Sequence, residues 1–384
     1  MKPASITMEE SESRHLLAVA GQFNLPGAPA GVREHGRGNI NKTYLLTVPG
    51  EGRPGQYIMQ RVNTQVFPRP AWIMANMRLV GDHIRAGLEN NRLAGRRWEV
   101  PEIISARDGR DYFIDTSGGF WRVLSFIDQA VVYEKIESPE VAHEAGRALG
   151  IFHKLLCGLP ADRLFETLPG FHITPLYLAQ LEAVINLDNP GQSRPEIEFC
   201  LEFVKARRGL AATLENAKKE GKLGRRPIHG DPKISNIMFD AATGRAAALI
   251  DLDTVQAGLI HYDLGDCLRS CCNPAGEEVG DPAGVRFDTG LCQIILEGYL
   301  AEAASFLSRY DYFFLYEAIR LIAFELGLRY FTDYLRGNAY FKVRHAEHNL
   351  GRALVQFRLT ESIEAQAGII RALIKELTPA HLQF

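Results

Sequence analysis

His229-Gly230-Asp231-Pro232-Lys233-Ile234-Ser235-Asn236 leads into Ile237-Met238-Phe239. Across the polar turn Asp240 to Arg245 it is answered by Ala246-Ala247-Ala248-Leu249-Ile250-Asp251-Leu252-Asp253. Two short apolar runs around a polar turn predict a β-hairpin, with Asn236 at its entrance and Asp251 at its exit. Phosphoryl transfer asks little covalent chemistry of a protein. It needs a carboxylate to orient or deprotonate the attacking hydroxyl, and ligands for Mg²⁺ bridging the phosphates. An Asp, an Asn five positions on and a second Asp across a hairpin supply that set. On this reading Asp231 faces the acceptor hydroxyl, Asn236 and Asp251 hold the metal, and Lys233 reaches the transferring phosphoryl group. Each residue alone is an ordinary turn, cap or strand end; the joint spacing points to chemistry. Asp253, Asp263 and Asp266 are read either as braces of this loop or as direct ligands.

Upstream, Leu45 to Val48 and Tyr57 to Val62 read as a hairpin with a long polar loop. Ala71 to Ala86 reads as a helix, and Tyr112 to Asp115 with Phe120 to Ile127 as a second hairpin. After Asp128 the pattern turns helical: Ser138 is a good N-cap, Pro139 suits the first helical position and Glu140 its positive end. Further helices are expected over 195–221, 287–308, 312–335 and 347–376. The fold class is therefore α+β. Residues 1–125 form a small antiparallel-sheet lobe for nucleotide binding, 126–384 a larger, mainly helical catalytic and substrate-binding lobe, and the hinge falls near 124–130. Clefts between lobes are where small ligands bind.

Composition agrees with an ordinary globular enzyme. The chain has 384 residues, 43 Lys plus Arg against 46 Asp plus Glu, and 46% hydrophobic residues. That argues against disorder and against a polybasic nucleic-acid binder. Six cysteines without CxxC pairs read as reduced thiols, with Cys267 and Cys271 buried rather than metal-bound. The N-terminal stretch is acidic where a signal peptide is apolar, and no apolar run approaches a membrane span, so a cytoplasmic protein without membrane or nucleic-acid partners is expected. The oligomeric state is left open.

HGDPKISNIMFD (229–240) followed by LIDLDT (249–254) resembles the catalytic loop and metal-binding Asp of the aminoglycoside phosphotransferase and choline kinase superfamily. That resemblance implies a protein-kinase-like fold and the cofactors ATP and Mg²⁺. EHGRGNINKTYLL (34–46), YIMQRVNTQVFP (57–68), IDLDTVQAGLIHYDLGD (250–266) and LRYFTDYLRGNAYF (328–341) look, more narrowly, like the N-acetylhexosamine 1-kinases, over about residues 20 to 370. Such enzymes phosphorylate the anomeric hydroxyl of N-acetylglucosamine or N-acetylgalactosamine. The alternative is a kinase of choline, homoserine, methylthioribose or an aminoglycoside on the same fold, since the catalytic residues do not encode the acceptor. A non-catalytic nucleotide-binding module would not need Asp231.

In this context Gly36 and Gly38 read as a loop whose backbone N–H groups approach the nucleotide phosphates, with Asn39 placed for the sugar, where the family often carries His. The strand cation of the family is missing. Gln60 stands in its place, or Arg61 supplies the charge after a register change. Phe126 and Ile127, in the lobe connection, would line the adenine slot. Glu325, Arg329 and Asp333 fall on one helical stripe, so Arg329 is expected between two carboxylates. The resemblance implies that Arg329 also donates to sugar hydroxyls and that Tyr340 borders the same pocket. His153 is read as a hydrogen-bonded structural residue.

Overall fold

Strand alternation decides the first unit. The computed structural model describes residues 10–383 apart from 37–39, 51–53, 91–92, 94 and 188–193. The chain divides into two units, residues 1–85 with 99–128, and residues 86–98 with 129–384. The first comprises α1 (Glu10–Ala20), β1 (Gly31–Glu34), β2 (Lys42–Val48), β3 (Gly55–Val62), most of α2 (Pro70–Asn90), β4 (Ile103–Ile104), β5 (Phe113–Ile114) and β6 (Phe120–Ser125). The strands form an antiparallel sheet in the order β1-β2-β3-β6-β4, with β5 also paired to β6. Tyr44, Leu46, Met59, Trp121 and Val123 share one face and pack with Leu16, Val19, Ala20 and Phe23. Thr43, Gln60 and Arg122, in register across β2, β3 and β6, lie on the other face. Helix α1 was not expected: its acidic start hides a buried edge of only Leu16, Val19 and Ala20.

The second unit begins with β7 (Ala130–Val132) and α3 (Pro139–Leu155), then α4 (Thr174–Leu187), α5 (Pro195–Arg207) and α6 (Thr213–Lys219). Strands β8 (Arg226–Ile228), β9 (Ile237–Asp240), β10 (Ala246–Leu249) and β11 (Gln256–Gly258) follow. Helices α7 (Ile260–Cys271), α8 (Thr289–Ala303), α9 (Arg309–Phe313), α10 (Leu315–Leu335), α11 (His348–Ala365) and α12 (Ala367–Leu377) complete it. The expected hairpin is present as β9-β10, extended by β7, while β11 pairs with β8. The α+β class holds, and no described helix is long and apolar enough to cross a membrane. Ser138 caps α3, its Oγ accepting from the Val141 N–H at 3.3 Å.

Three expectations are corrected. The helix expected over 195–221 is interrupted by a 3₁₀ segment at Arg208–Ala212, which contains Gly209. The closing helix is two helices, broken at Gln366. Helix α7 was missed because its sequence IHYDLGDCLRSC carries charges at positions that a buried apolar stripe would not, yet all of it except Ser270 is buried.

Helices α3 and α8 meet backbone to backbone at glycines. A Cβ on Gly146 would lie 1.9 Å from the Ile295 carbonyl oxygen, and one on Gly298 would lie 2.1 Å from that of His143. Backbone cannot step aside as a side-chain tip can. Gly146→Ala or Gly298→Ala is therefore expected to destabilise the protein by about 1–3 kcal/mol, read as a lower melting temperature in calorimetry. Unchanged melting in both variants would contradict this packing.

Candidate active site

Strand β8 delivers the chain to a loop that has little freedom. Gly230 adopts φ +88°, and a Cβ there would lie 2.8 Å from the Thr254 carbonyl oxygen, so only glycine fits. Asp263, on α7 and fully buried, receives the His229 and Gly230 backbone N–H groups at 2.7 Å each, on different carboxylate oxygens. Burial opposes its ionisation, but His153, 2.9 Å away, and the donated N–H groups outweigh it and hold the carboxyl below its usual range. His153 also meets the Tyr299 hydroxyl at 3.1 Å, as a structural residue does. His229 accepts from the Asp231 N–H on Nδ1 (3.2 Å) and donates from Nε2 to the Ile250 carbonyl (2.9 Å). One acceptor and one donor nitrogen define a neutral ring, and burial lowers its pKa in the same sense.

The loop presents Asp231 with one oxygen occupied. Its Oδ2 accepts from Lys233 Nζ at 2.6 Å and from Asn236 Nδ2 at 3.1 Å, and that amide also donates to the Asp231 carbonyl at 2.7 Å. Oδ1 has no protein donor among the described residues. Burial works against the charge on Asp231, yet the Lys233 ammonium prevails and the carboxyl stays below the ordinary value. Lys233 in turn is raised: burial disfavours its charge, but Asp231 and Asp251 more than compensate. Asp251 takes a left-handed conformation (φ +66°, ψ +56°) just after β10. The Ile250 N–H donates to the Asn236 carbonyl at 2.9 Å, which places Asn236 and Asp251 together at the hairpin mouth. A carboxylate and an amide are hard oxygen donors, and Mg²⁺ is commonly held by one or two protein groups with phosphate and water completing its shell. The residues present therefore fit a magnesium ion.

A family model described as the phosphotransferase enzyme family matches residues 31–292, more than half of the chain and all of the loop just described. The chain belongs to that family. The phosphotransferase is similar in fold to a microcompartment-associated aminopropanol kinase, at 16% identity with a TM-score of 0.62 over 93% of this chain and 98% of the other. It is similar also to an aminoglycoside phosphotransferase of Alicyclobacillus acidocaldarius (14%, 0.62, over 98% and 99%) and to a choline kinase of Cryptosporidium parvum (14%, 0.56, over 94% and 97%). The family makes the protein a phosphotransferase, and the solved structures show its fold.

The nucleotide-side expectations fall in the first unit. Gly36 adopts φ +74° with open space where a Cβ would be, as a backbone-exposing loop requires, whereas Gly38 and Asn39 lie outside the described residues. Phe126 is half-buried with its ring edge-on to His35 at 6.2 Å, and Ile127 is buried. Arg61 is exposed, on the face opposite Gln60, with its guanidinium 5.8 Å from the Trp121 ring. The cation beside Gln60 is Arg122, which sequence reasoning missed. Its Nε and Nη2 donate to Gln60 Oε1 at 2.9 and 2.6 Å, and Gln60 Nε2 donates to Thr43 Oγ1 at 3.0 Å. An Arg inside the otherwise apolar run Phe120 to Leu124 was the available signal.

The ion-pair stripe on α10 is the main correction. Glu325 is bonded to His172 and Thr174 at 2.9 and 2.6 Å. Asp333 accepts the backbone N–H groups of Tyr340 and Phe341 at 2.8 and 3.0 Å, together with Asn349 Nδ2 at 2.9 Å. Arg329 is paired with neither. Its guanidinium lies 5.1, 5.3 and 5.5 Å from the rings of Phe171, Tyr177 and Phe341. Equal helical spacing placed the carboxylates near Arg329, but the backbone N–H groups and the His172 ring claim them more closely. Tyr340 is 43% exposed and packs edge-on to Phe341 at 4.8 Å, beside this cluster.

Proposed function

We propose that the protein transfers the γ-phosphoryl group of ATP to the anomeric hydroxyl of an N-acetylhexosamine, giving the sugar 1-phosphate. Asp231 takes a hydrogen bond from that hydroxyl on Oδ1 while Lys233 and Asn236 hold Oδ2, so the carboxylate orients the nucleophile without turning. As the new P–O bond forms, the hydroxyl proton passes to Asp231 and the bond from phosphorus to ADP breaks. Asn236 and Asp251 would hold a magnesium ion, which neutralises charge on the phosphate oxygens. Lys233, still bonded to Asp231 Oδ2, points a further N–H at the transferring phosphoryl group. Gln60, with Arg122 behind it, replaces the strand lysine as donor to the phosphates. Gly36 offers its backbone N–H to the phosphates, and Phe126 and Ile127 line the adenine.

The acceptor reading is carried by Arg329. A guanidinium already seated among three aromatic rings repels a cationic acceptor and donates well to neutral hydroxyl and carbonyl oxygens, such as those of an acetamido sugar. The aromatic cage a quaternary ammonium would need is filled by the chain's own cation. Tyr340 packs on Phe341, one of the rings around Arg329, and the narrower sequence resemblance points to the same acceptor.

The test is ADP release with N-acetylglucosamine, N-acetylgalactosamine, glucose, choline, homoserine, methylthioribose and kanamycin, with magnesium and with chelator. Turnover confined to N-acetyl sugars and abolished by chelation is expected. In Arg329→Met the acceptor KM should rise by about 10–100-fold, the loss of charge-assisted hydrogen bonds, while the ATP KM holds. Turnover with choline or kanamycin alone would refute this acceptor.

A further inference from the structure

We infer that His172 is a positioning residue of phosphoryl transfer: a buried imidazolium that ties the catalytic loop at Gly230 to Glu325, one helical turn before Arg329. His172 is 3% exposed. Its Nε2 lies 2.9 Å from the Gly230 carbonyl oxygen and its Nδ1 lies 2.9 Å from Glu325 Oε1. A carbonyl and a carboxylate only accept, so both contacts are hydrogen bonds when the ring carries two protons. The contrast with His229, which has one donor partner and one acceptor, is chemical. Glu325 is itself 1% exposed and receives Thr174 Oγ1 on its other oxygen, so its charge needs the imidazolium close by.

The backbone is committed to this arrangement. His172 has φ +61°, a conformation that side-chain-bearing residues rarely adopt and that persists where surrounding contacts enforce it. The preceding Phe171 packs on Arg329, so two successive residues touch the acceptor-side guanidinium and the carbonyl next to Asp231. From α7, the Tyr262 ring stacks on His172 at 5.4 Å and donates its hydroxyl to Glu215 of α6, and Asp266 adds a second negative charge. Burial opposes protonation of His172, but Glu325 first and Asp266 after it reverse the balance, and its pKa is raised. A raised value means that the tie is complete below it and fails as pH rises through it. A bare nitrogen then faces either the Gly230 carbonyl or the Glu325 carboxylate, and the loop loses its anchor.

This inference rests on Asp231 as the hydroxyl-orienting group, and its first test needs no substrate. In ¹⁵N NMR of histidine rings in the full chain, assigned with His172→Gln, His172 should titrate above the ordinary histidine value of about 6.5, with both ring nitrogens protonated below its midpoint. Glu325→Gln should move that titration down by about one unit or more, since it removes the closest opposite charge. Asn tolerates left-handed backbone, so His172→Asn should fold. With whichever acceptor the enzyme turns over, it should lower kcat about 10–100-fold, the range for losing a charged hydrogen bond. It should leave the ATP KM unchanged and remove the fall in kcat that wild type is expected to show as pH rises through the His172 titration. A His172 ring that titrates at or below about 6.5, or a fall in kcat at rising pH unmoved in both Glu325→Gln and His172→Asn, would overturn the assignment. Absence of turnover with N-acetyl sugars would refute the acceptor and leave the ring titration to decide the role of His172.

Discussion

Asp231→Asn is expected to lower kcat by about 10²–10⁴-fold, the range for removing a positioned general base, while the ATP KM changes little. The asymmetry comes from the carboxylate's two oxygens. Oδ2 is held by Lys233 and Asn236, and Oδ1 has no protein donor among the described residues. An Asn side chain can reproduce one acceptor but not both, and its NH₂ would face either Lys233 and Asn236 or the acceptor hydroxyl. Chemistry suffers and nucleotide binding does not. Single-turnover ADP formation with saturating nucleotide, alongside equilibrium binding of ATP, separates the two. A variant within tenfold of wild type would remove Asp231 from the reaction.

The second large effect concerns folding. Asp263→Ala leaves the buried His229 and Gly230 N–H groups and the His153 ring without their acceptor. Removing one member of such a buried charged set is expected to destabilise by about 3–5 kcal/mol, measured by denaturant unfolding at neutral pH. Because the folded carboxyl sits below its usual range, its contribution is complete above the unfolded value of about 3.9 and is lost only as pH falls through the folded one. Neutral conditions therefore show the full effect. A loss under 1 kcal/mol would mean that other contacts hold the loop, contrary to the geometry.

How much of this was legible beforehand depended on whether the signal was local. The β9-β10 hairpin and the Ser138 cap follow from spacing and turn chemistry and are where the sequence placed them, and Lys233 and Asn236, close to Asp231 in sequence, bond to it. Helix α7 escaped because His261, Asp263, Asp266 and Arg269 are buried among its apolar residues, all round the helix. Asp263 bonds the catalytic loop, and hydrophobic periodicity cannot register buried polar positions of that kind. Arg122 and His172 escaped for a different reason. Each acquires its meaning from a partner 62 or 153 positions away along the chain; the Arg in the apolar run Phe120 to Leu124 marked a buried charge but not its partner. Arg329 shows the converse hazard. Its i, i+4 neighbours looked like ion-pair partners, but tertiary contacts assigned both carboxylates elsewhere.

The measurement that bears most directly on the proposed function is the phosphorus and proton NMR spectrum of the product formed from ATP, magnesium and N-acetylglucosamine or N-acetylgalactosamine. The account predicts a phosphate coupled to the anomeric proton and absent with Asp231→Asn. Phosphate on any other hydroxyl, or a product only from a cationic amino alcohol, would contradict it.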